Sequence, residues 1–299
     1  MYNSAFFKFT AREKLKNCYL AAVVGALICM LPVYIRQLIS NMFNYGLIAG
    51  RVISEGIGLV IELFAINLFL IGFIKMLMEL NPKGEKLQNK CSYDLTFYSY
   101  RTNFKNALKI TLLRELKIFL WALIVFIPAA IAILAVKMFV SIDSLRGLVG
   151  VLAEYAQNQT YENLTAAQEF MDLHFPHLSL YSLIYLVATI AASVPLIYKS
   201  YEYAMIPMIL ADNPNMKAKD AFKRTKDIMD GFRMRYFCIQ LSFFVYIMLT
   251  GLILIYSGSV LVYIIAQALL MPYQYMTYLE FYRQRNEVIE YNIEKYGEN

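Results

Sequence analysis

Apolar residues in this chain gather into six long runs divided by polar segments. The runs approach or reach the roughly 20 residues that a helix needs to cross a bilayer. They are Tyr19 to Ile35, Ile57 to Met78, Ile118 to Phe139, Leu178 to Tyr198, Phe237 to Tyr256 and Val260 to Leu279. The first carries Pro32 and follows Lys8, Arg12, Lys14 and Lys16, as a signal peptide would. Its apolar part is long for such a segment and no clear cleavage site follows, so it reads as the first membrane helix. The pattern predicts an all-α fold: a polytopic membrane helical bundle of about six transmembrane helices, in one integral membrane domain over 1–299. It leaves an outer loop at 141–177 and inner loops at 81–117 and 199–235.

Two polar segments carry a helical period of their own. In the second inner loop Ala218, Ala221, Phe222, Thr225, Met229 and Phe232 recur at three and four residues. Lys217, Lys219, Lys223, Arg224 and Lys226 occupy the opposite side. Asp212-Asn213-Pro214 precedes as a cap and helix entry, and Gly231 permits a turn towards the fifth run. Met216 to Asp230 therefore reads as a basic amphipathic helix lying flat on the cytoplasmic membrane surface, although docking of a partner protein would need the same face. In the first inner loop, Asn81-Pro82-Lys83-Gly84 should stop the second run. Leu95, Phe97, Phe104, Leu108 and Leu112 then alternate with Arg101, Lys105 and Lys109, as in a second surface helix or a solvated linker. Each basic residue near an anionic surface is worth about 1 kcal/mol.

The outer loop contrasts in charge. Asp143, Glu154, Glu162, Glu169 and Asp172 face a single Arg146, and Val149 to Ala156 and Ala166 to Leu173 suit short helices. His174 and His177 are the only histidines. Imidazole with carboxylate can bind metal, but Pro176 works against a helix that would bring both rings to one face. The segment reads as a polar entry into the fourth run, with no metal.

Composition narrows the class. Hydrophobic residues make up 59% of the 299 and charged residues 17%, against about 45–50% and about 25% in soluble domains. That excludes an ordinary soluble enzyme and a disordered chain. The net charge of +6 is a question of location rather than of nucleic acid, for which no partner role is expected. Counted between runs, Lys and Arg alternate 4, 2, 8, 1, 8, 0 and 3. By the positive-inside rule this puts both termini in the cytoplasm of a bacterial cell and the chain in its cytoplasmic membrane. Tyr98, Tyr100, Tyr198, Tyr201, Tyr203, Tyr273, Tyr275, Tyr278 and Tyr282 fall around the inner ends of the runs, so they read as an interfacial belt. The scattered Cys18, Cys29, Cys91 and Cys238 read as reduced thiols.

Ionisable and amide groups inside the runs are functional candidates, because lipid penalises them. Glu62 lies near the outer end of the second run and Asn67 near its middle; Gln267 and Gln274 lie in the sixth. They line a polar pathway or make interhelical hydrogen bonds. No zinc-protease helix, phosphate-binding glycine loop or nucleophile elbow occurs in the sequence. The expectation is a non-enzymatic protein without cofactor. Its partners would be the bilayer, through anionic headgroups on the inner face, and a membrane protein. A small-solute transporter is the alternative, and an enzyme on lipid or peptide comes last.

Several short blocks carry a resemblance. These are Leu120-Trp121 through Ile127-Pro128, Ile209-Leu210-Ala211-Asp212-Asn213-Pro214, Met229-Asp230-Gly231, Leu241-Ser242-Phe243, Pro272-Tyr273 and Phe281-Tyr282, with Gly72 to Leu80 and Asp94 to Tyr98 earlier. Together they resemble the bacterial integral membrane family grouped as domain of unknown function 975. The Leu-Ala-Asp-Asn-Pro run is the most specific piece. The resemblance implies an intrinsic membrane protein and supplies no activity. In the family pattern the tryptophan segment runs almost directly into the tyrosine-rich stretch, whereas here about 65 residues intervene between Pro128 and Pro195.

Overall fold

The computed structural model describes residues 4–16, 18–43, 48–80, 93–139, 142–158, 161–174 and 178–296. All regular structure among them is helical. The chain divides into two compact units, one of Met1–Glu115 with Tyr201–Asn299 and one of Leu116–Ser200.

The first unit opens with α1 (Ser4–Leu15) and α2 (Tyr19–Phe43). The second apolar run is α3 (Ile48–Ile61), a π-helical turn (Glu62–Ile66) and α4 (Asn67–Glu79), joined without a gap. A 3₁₀ turn (Tyr93–Phe97), α5 (Tyr98–Arg101) and the start of α6 (Phe104–Phe139) follow. The C-terminal part contributes the end of α9 (Leu178–Glu202), then α10 (Ile206–Asp212), α11 (Ala218–Met229), α12 (Arg233–Leu241), α13 (Phe244–Ser257) and α14 (Val260–Tyr296).

α2 and α14 pack along each other, α1 lies on α14, and α10 packs on α4. Phe7, Phe73, Phe243 and Phe281 are fully buried at the centre, among Leu68, Ile71 and Met76. The apolar period of α1 is what docks it, since Phe7, Ala11 and Leu15 recur at four residues and all are buried. Two of its four-residue neighbours, Lys8 and Arg12, are cations on another side of the same helix.

Three sequence expectations change here. The segment from Leu95 to Leu112 is not a surface helix. The 3₁₀ turn sits directly against α4, where a Cβ on Gly72 would come 2.0 Å from the Thr96 carbonyl oxygen. Thr96, Ser99, Ala107, Ile110 and Thr111 are the buried positions, while Phe97 and Leu112 are exposed. Of the nine tyrosines assigned to a boundary belt, Tyr203, Tyr278 and Tyr282 lie inside the protein. Tyr236 is buried with them and meets Tyr201, Tyr278 and Phe281 with ring centroids 5.2–6.0 Å apart. The helix of the sixth run does not stop with the apolar residues at Leu279, because α14 continues as one helix to Tyr296. The expected stop at Asn81-Pro82-Lys83-Gly84 lies outside the described residues, just after α4 ends.

The fifth run is broken. α12 and α13 meet at Ser242-Phe243 with a bend of 47°. A break exposes carbonyls that lipid cannot satisfy, and Lys8 of α1 donates its ammonium to the Ser242 carbonyl at 3.0 Å. The same ammonium lies 4.3 Å from the centre of the Phe243 ring, and burial lowers its pKa from the ordinary lysine value. Gly231 and Gly258 take the left-handed conformation, φ 66° and 60°, at the turns that follow α11 and α13.

The second unit holds the rest of α6, then α7 (Ile142–Gln157), α8 (Tyr161–His174) and α9 up to Ser200. The two short outer helices expected from sequence are α7 and α8, each longer than predicted. They pair as a hairpin, with Gly147 so close to the Phe170 ring that a Cβ would come 2.5 Å from it. Along α9, Leu183, Leu186, Val187, Ile190 and Val194 are all exposed.

Among the described residues four helices are long and apolar enough to cross a membrane: Tyr19–Met42, Ile53–Glu79, Leu183–Asp212 and Val260–Lys295. The bent pair α12 and α13 makes a fifth if it counts as one span. The expected third span, 118–139, lies within α6, whose side chains from 132 to 139 are outside the described set.

Candidate functional site: a polar seam, a basic helix and a charged cleft

The first candidate forms where the second apolar run changes from α to π geometry. A π turn shifts the hydrogen-bond ladder by one residue, and such turns occur often at functional sites. Side chains collect the displaced carbonyls. Asn67 Nδ2 donates to the Glu62 carbonyl at 3.2 Å, and the Tyr100 hydroxyl donates to the Phe64 carbonyl at 2.6 Å. Asn67 Oδ1 in turn accepts from Arg114 at 3.0 Å, and the Arg114 Nε–H donates to the neighbouring Glu115 carboxylate at 3.1 Å. On the other side Arg36 of α2 reaches Glu62 at 3.2 Å and Glu55 at 3.5 Å. Gly58, between the two carboxylates on α3, provides the notch: a Cβ there would be 2.8 Å from Arg36 Nε.

This seam unites two of the four intramembrane candidates, Glu62 and Asn67. It does not include the other two. Gln267 donates to the Tyr263 hydroxyl at 3.3 Å and Gln274 to the Tyr278 hydroxyl at 2.8 Å, each one turn along α14. Arg114, counted from sequence as an inner-loop cation, instead reaches the middle of the candidate span Ile53–Glu79.

The second candidate is α11. It forms close to where its period predicts, but its apolar side is occupied by the protein itself. Ala221, Phe222, Thr225, Ile228 and Met229 are buried. The Thr225 hydroxyl donates to the Glu202 carbonyl at 2.9 Å, and Phe222 packs edge-on against Tyr203. The expectation that this face lies in lipid or on a partner is therefore replaced by intramolecular packing. Two of the five basic residues serve the same docking. Arg224 reaches Asn286 at 2.8 Å and Glu290 at 3.2 Å, and Lys226 lies 3.4 Å from Glu202, a carboxylate also approached by Arg233 at 3.8 Å. Lys217, Lys219 and Lys223 are exposed.

The third candidate was not foreseen. A cleft of about 580 Å³ opens between α1, the end of α4, the end of α10 and the polar half of α14. Its floor is ionic: Glu280 is held by Lys14 at 2.6 Å and by Arg283 at 2.9 Å, and Arg283 also donates to the Met78 carbonyl at 2.9 Å. At its side the Tyr282 hydroxyl donates to Asp212 at 3.1 Å. Asp212 and Tyr282 come from two separate blocks of the family resemblance, and Met78 from a third. Apart from Glu280 and Arg283, which are three apart on α14, no local signal foretold these pairs, because their partners lie 70 to 266 residues apart in sequence.

Among the described residues no three His, Cys, Asp or Glu side chains are placed to hold a metal ion; the segment 175–177 with His177 lies outside them. Cys18, Cys29 and Cys238 are free thiols, and Cys91 lies outside the described residues. No curated protein and no solved structure matches the chain. One family model does, described as "Protein of unknown function (DUF975)"; it matches residues 1–287, and the chain belongs to that family.

Proposed function

We propose that this protein is a multi-pass component of the bacterial cytoplasmic membrane, with about six spans and both termini in the cytoplasm. It works without catalysis, through contacts with anionic headgroups or a membrane protein partner. Envelope maintenance, protection against a toxin and service as an accessory subunit are the roles of this kind. The observation that carries the reading is the seating of α11. Because its apolar side is anchored in the protein, Lys217, Lys219 and Lys223 stand outward from a fixed support, so a contact through them costs little ordering entropy. The charge count between runs places that support on the inner face.

A photo-crosslinker at Lys219 in native membranes tests this. A lipid adduct or one specific protein band is expected, and both should fade when Lys217 and Lys223 become glutamate. Crosslinking unchanged by that reversal overturns the reading. Membrane residence is checked separately by resistance to alkaline carbonate extraction.

A small-solute transporter is the second reading, and the polar seam favours it. Arg36, Glu62, Asn67 and Arg114 join polar groups through a candidate span at a π turn, as a solute route requires. Reconstituted protein that moves a solute, and loses that movement in Glu62→Ala, would favour this reading over the first.

A further inference from the structure

α14 carries a depth scale. It begins at Val260, the outer end of the sixth run, and at about 1.5 Å per residue Glu280 lies about 30 Å further along. The hydrocarbon core of a bilayer is also about 30 Å thick. On the membrane reading proposed above, Glu280 and Phe281 therefore mark the inner boundary. α1 meets α14 at this level. Phe7 lies edge-on to Phe281 with ring centroids 5.9 Å apart, and Lys14 pairs with Glu280 at 2.6 Å. Phe7 and Lys14 are about 10 Å apart along α1, yet their partners are consecutive residues of α14. α1 therefore crosses α14 rather than running along it, and lies in the plane of the inner surface.

The side that α1 turns away from the protein matches that plane. At about 100° per residue, Phe9, Arg12 and Lys16 fall within about 60° of one another, opposite the buried Phe7, Ala11 and Leu15. Phe9 is 65% exposed. Arg12 and Lys16 are exposed as well, and among the described residues no carboxylate pairs with either. Arg12 stands close enough to the Tyr273 hydroxyl to act on it electrostatically, so its charge leans from the boundary towards the apolar part of α14. Glu13 is the one acid near this stripe, at the edge away from Arg12. The inner interface suits each of the three: an aromatic ring enters the upper acyl region while basic groups meet phosphate. α11, the other basic helix, holds α14 further out, at Asn286 and Glu290, about 9 and 15 Å past Glu280. A headgroup layer is roughly 5–8 Å thick, so α1 lies closer to the phosphates than α11 does.

We propose that α1 is an in-plane anchor for anionic phospholipid of the inner leaflet, with Phe9 at the acyl boundary and Arg12 and Lys16 on headgroup phosphates. The inference rests on the membrane reading for the placement of α14 and uses none of the lysines of α11.

The test uses the full chain in vesicles of phosphatidylcholine and phosphatidylglycerol, with an environment-sensitive fluorescent amino acid in place of Phe9 and brominated lipids as quenchers. Bromine near the top of the acyl chains should quench position 9 more than bromine near the chain ends. Brominated phosphatidylglycerol should quench it about threefold more than an equal amount of brominated phosphatidylcholine. Arg12→Glu together with Lys16→Glu should abolish that preference, and Glu13→Gln should raise it. All three side chains are exposed, so the variants keep the fold, which the thermal midpoint checks. The same fluorescent residue in place of Leu269, exposed midway along the apolar part of α14, separates this inference from the reading beneath it. Quenching at position 269 by bromine at the chain ends, with none at position 9, overturns the anchor and leaves the membrane reading standing. No quenching at either position overturns both. Quenching at position 9 that is equal for the two lipids, or a preference that the double charge reversal leaves intact, also overturns the proposal.

Discussion

A helix of the first unit, α4, and one of the second, α9 up to Ser200, read alike in sequence and differ in what covers their apolar side chains. In the first, α4 presents Leu68, Ile71, Phe73, Ile74, Met76 and Leu77 to other helices, each at most 2% exposed. In the second, the described residues of α9 show the reverse, with Leu183, Val187 and Ile190 each more than half exposed. A sequence run does not distinguish these cases, because lipid and a protein interior select the same residue types. Gly72 in the first unit has a neighbouring backbone where its Cβ would be, whereas Gly150 in the second has nothing within 4 Å.

That contrast can be broken by experiment. Gly72→Ala should cost about 3 kcal/mol or more, since a backbone carbonyl rather than a flexible side-chain end must move; the thermal midpoint in detergent measures it. Asn67→Leu should cost about 2 kcal/mol, because it strands the Arg114 guanidinium and the Glu62 carbonyl. Lys8→Met should cost about 1 kcal/mol by leaving the Ser242 carbonyl at the bend without its ammonium, and should widen the distribution of distances between spin labels on α12 and α13. Val187→Ala in the second unit should stay within about 0.5 kcal/mol in detergent. Gly150→Ala should stabilise slightly, by about 0.5 kcal/mol, through helix propensity alone. If Gly150→Ala proved as damaging as Gly72→Ala, the two positions would not differ in the way described.

Much of the fold was legible because it is local. Runs of apolar residues gave the helices, the three- and four-residue recurrence gave α11, and Gly231 gave its turn. What stayed hidden depends on which apolar surface meets which. The tyrosines from 273 to 282 read as an interfacial belt because their spacing fits one, yet Tyr278 and Tyr282 face other rings and Asp212. The segment from Leu95 to Leu112 read as amphipathic because its large residues recur, yet the small ones, Thr96 and Ser99, are buried where the 3₁₀ turn and α5 pack on α4. Of the candidate residues, Glu62 and Asn67 were legible as isolated polar groups. Their link to Arg36 and Arg114 was not, since it depends on a π turn and on helices far apart in the chain.

The staple between α1 and α14 also sets an order in time. Lys14 pairs with Glu280, 266 residues later, and α2 packs along α14 as well. During synthesis α1 and α2 leave the ribosome long before α14, on which both pack. At roughly 5–20 residues per second, the interval between them is on the order of ten seconds or more. For that period Phe7, Ala11 and Leu15 have no α14 to cover them.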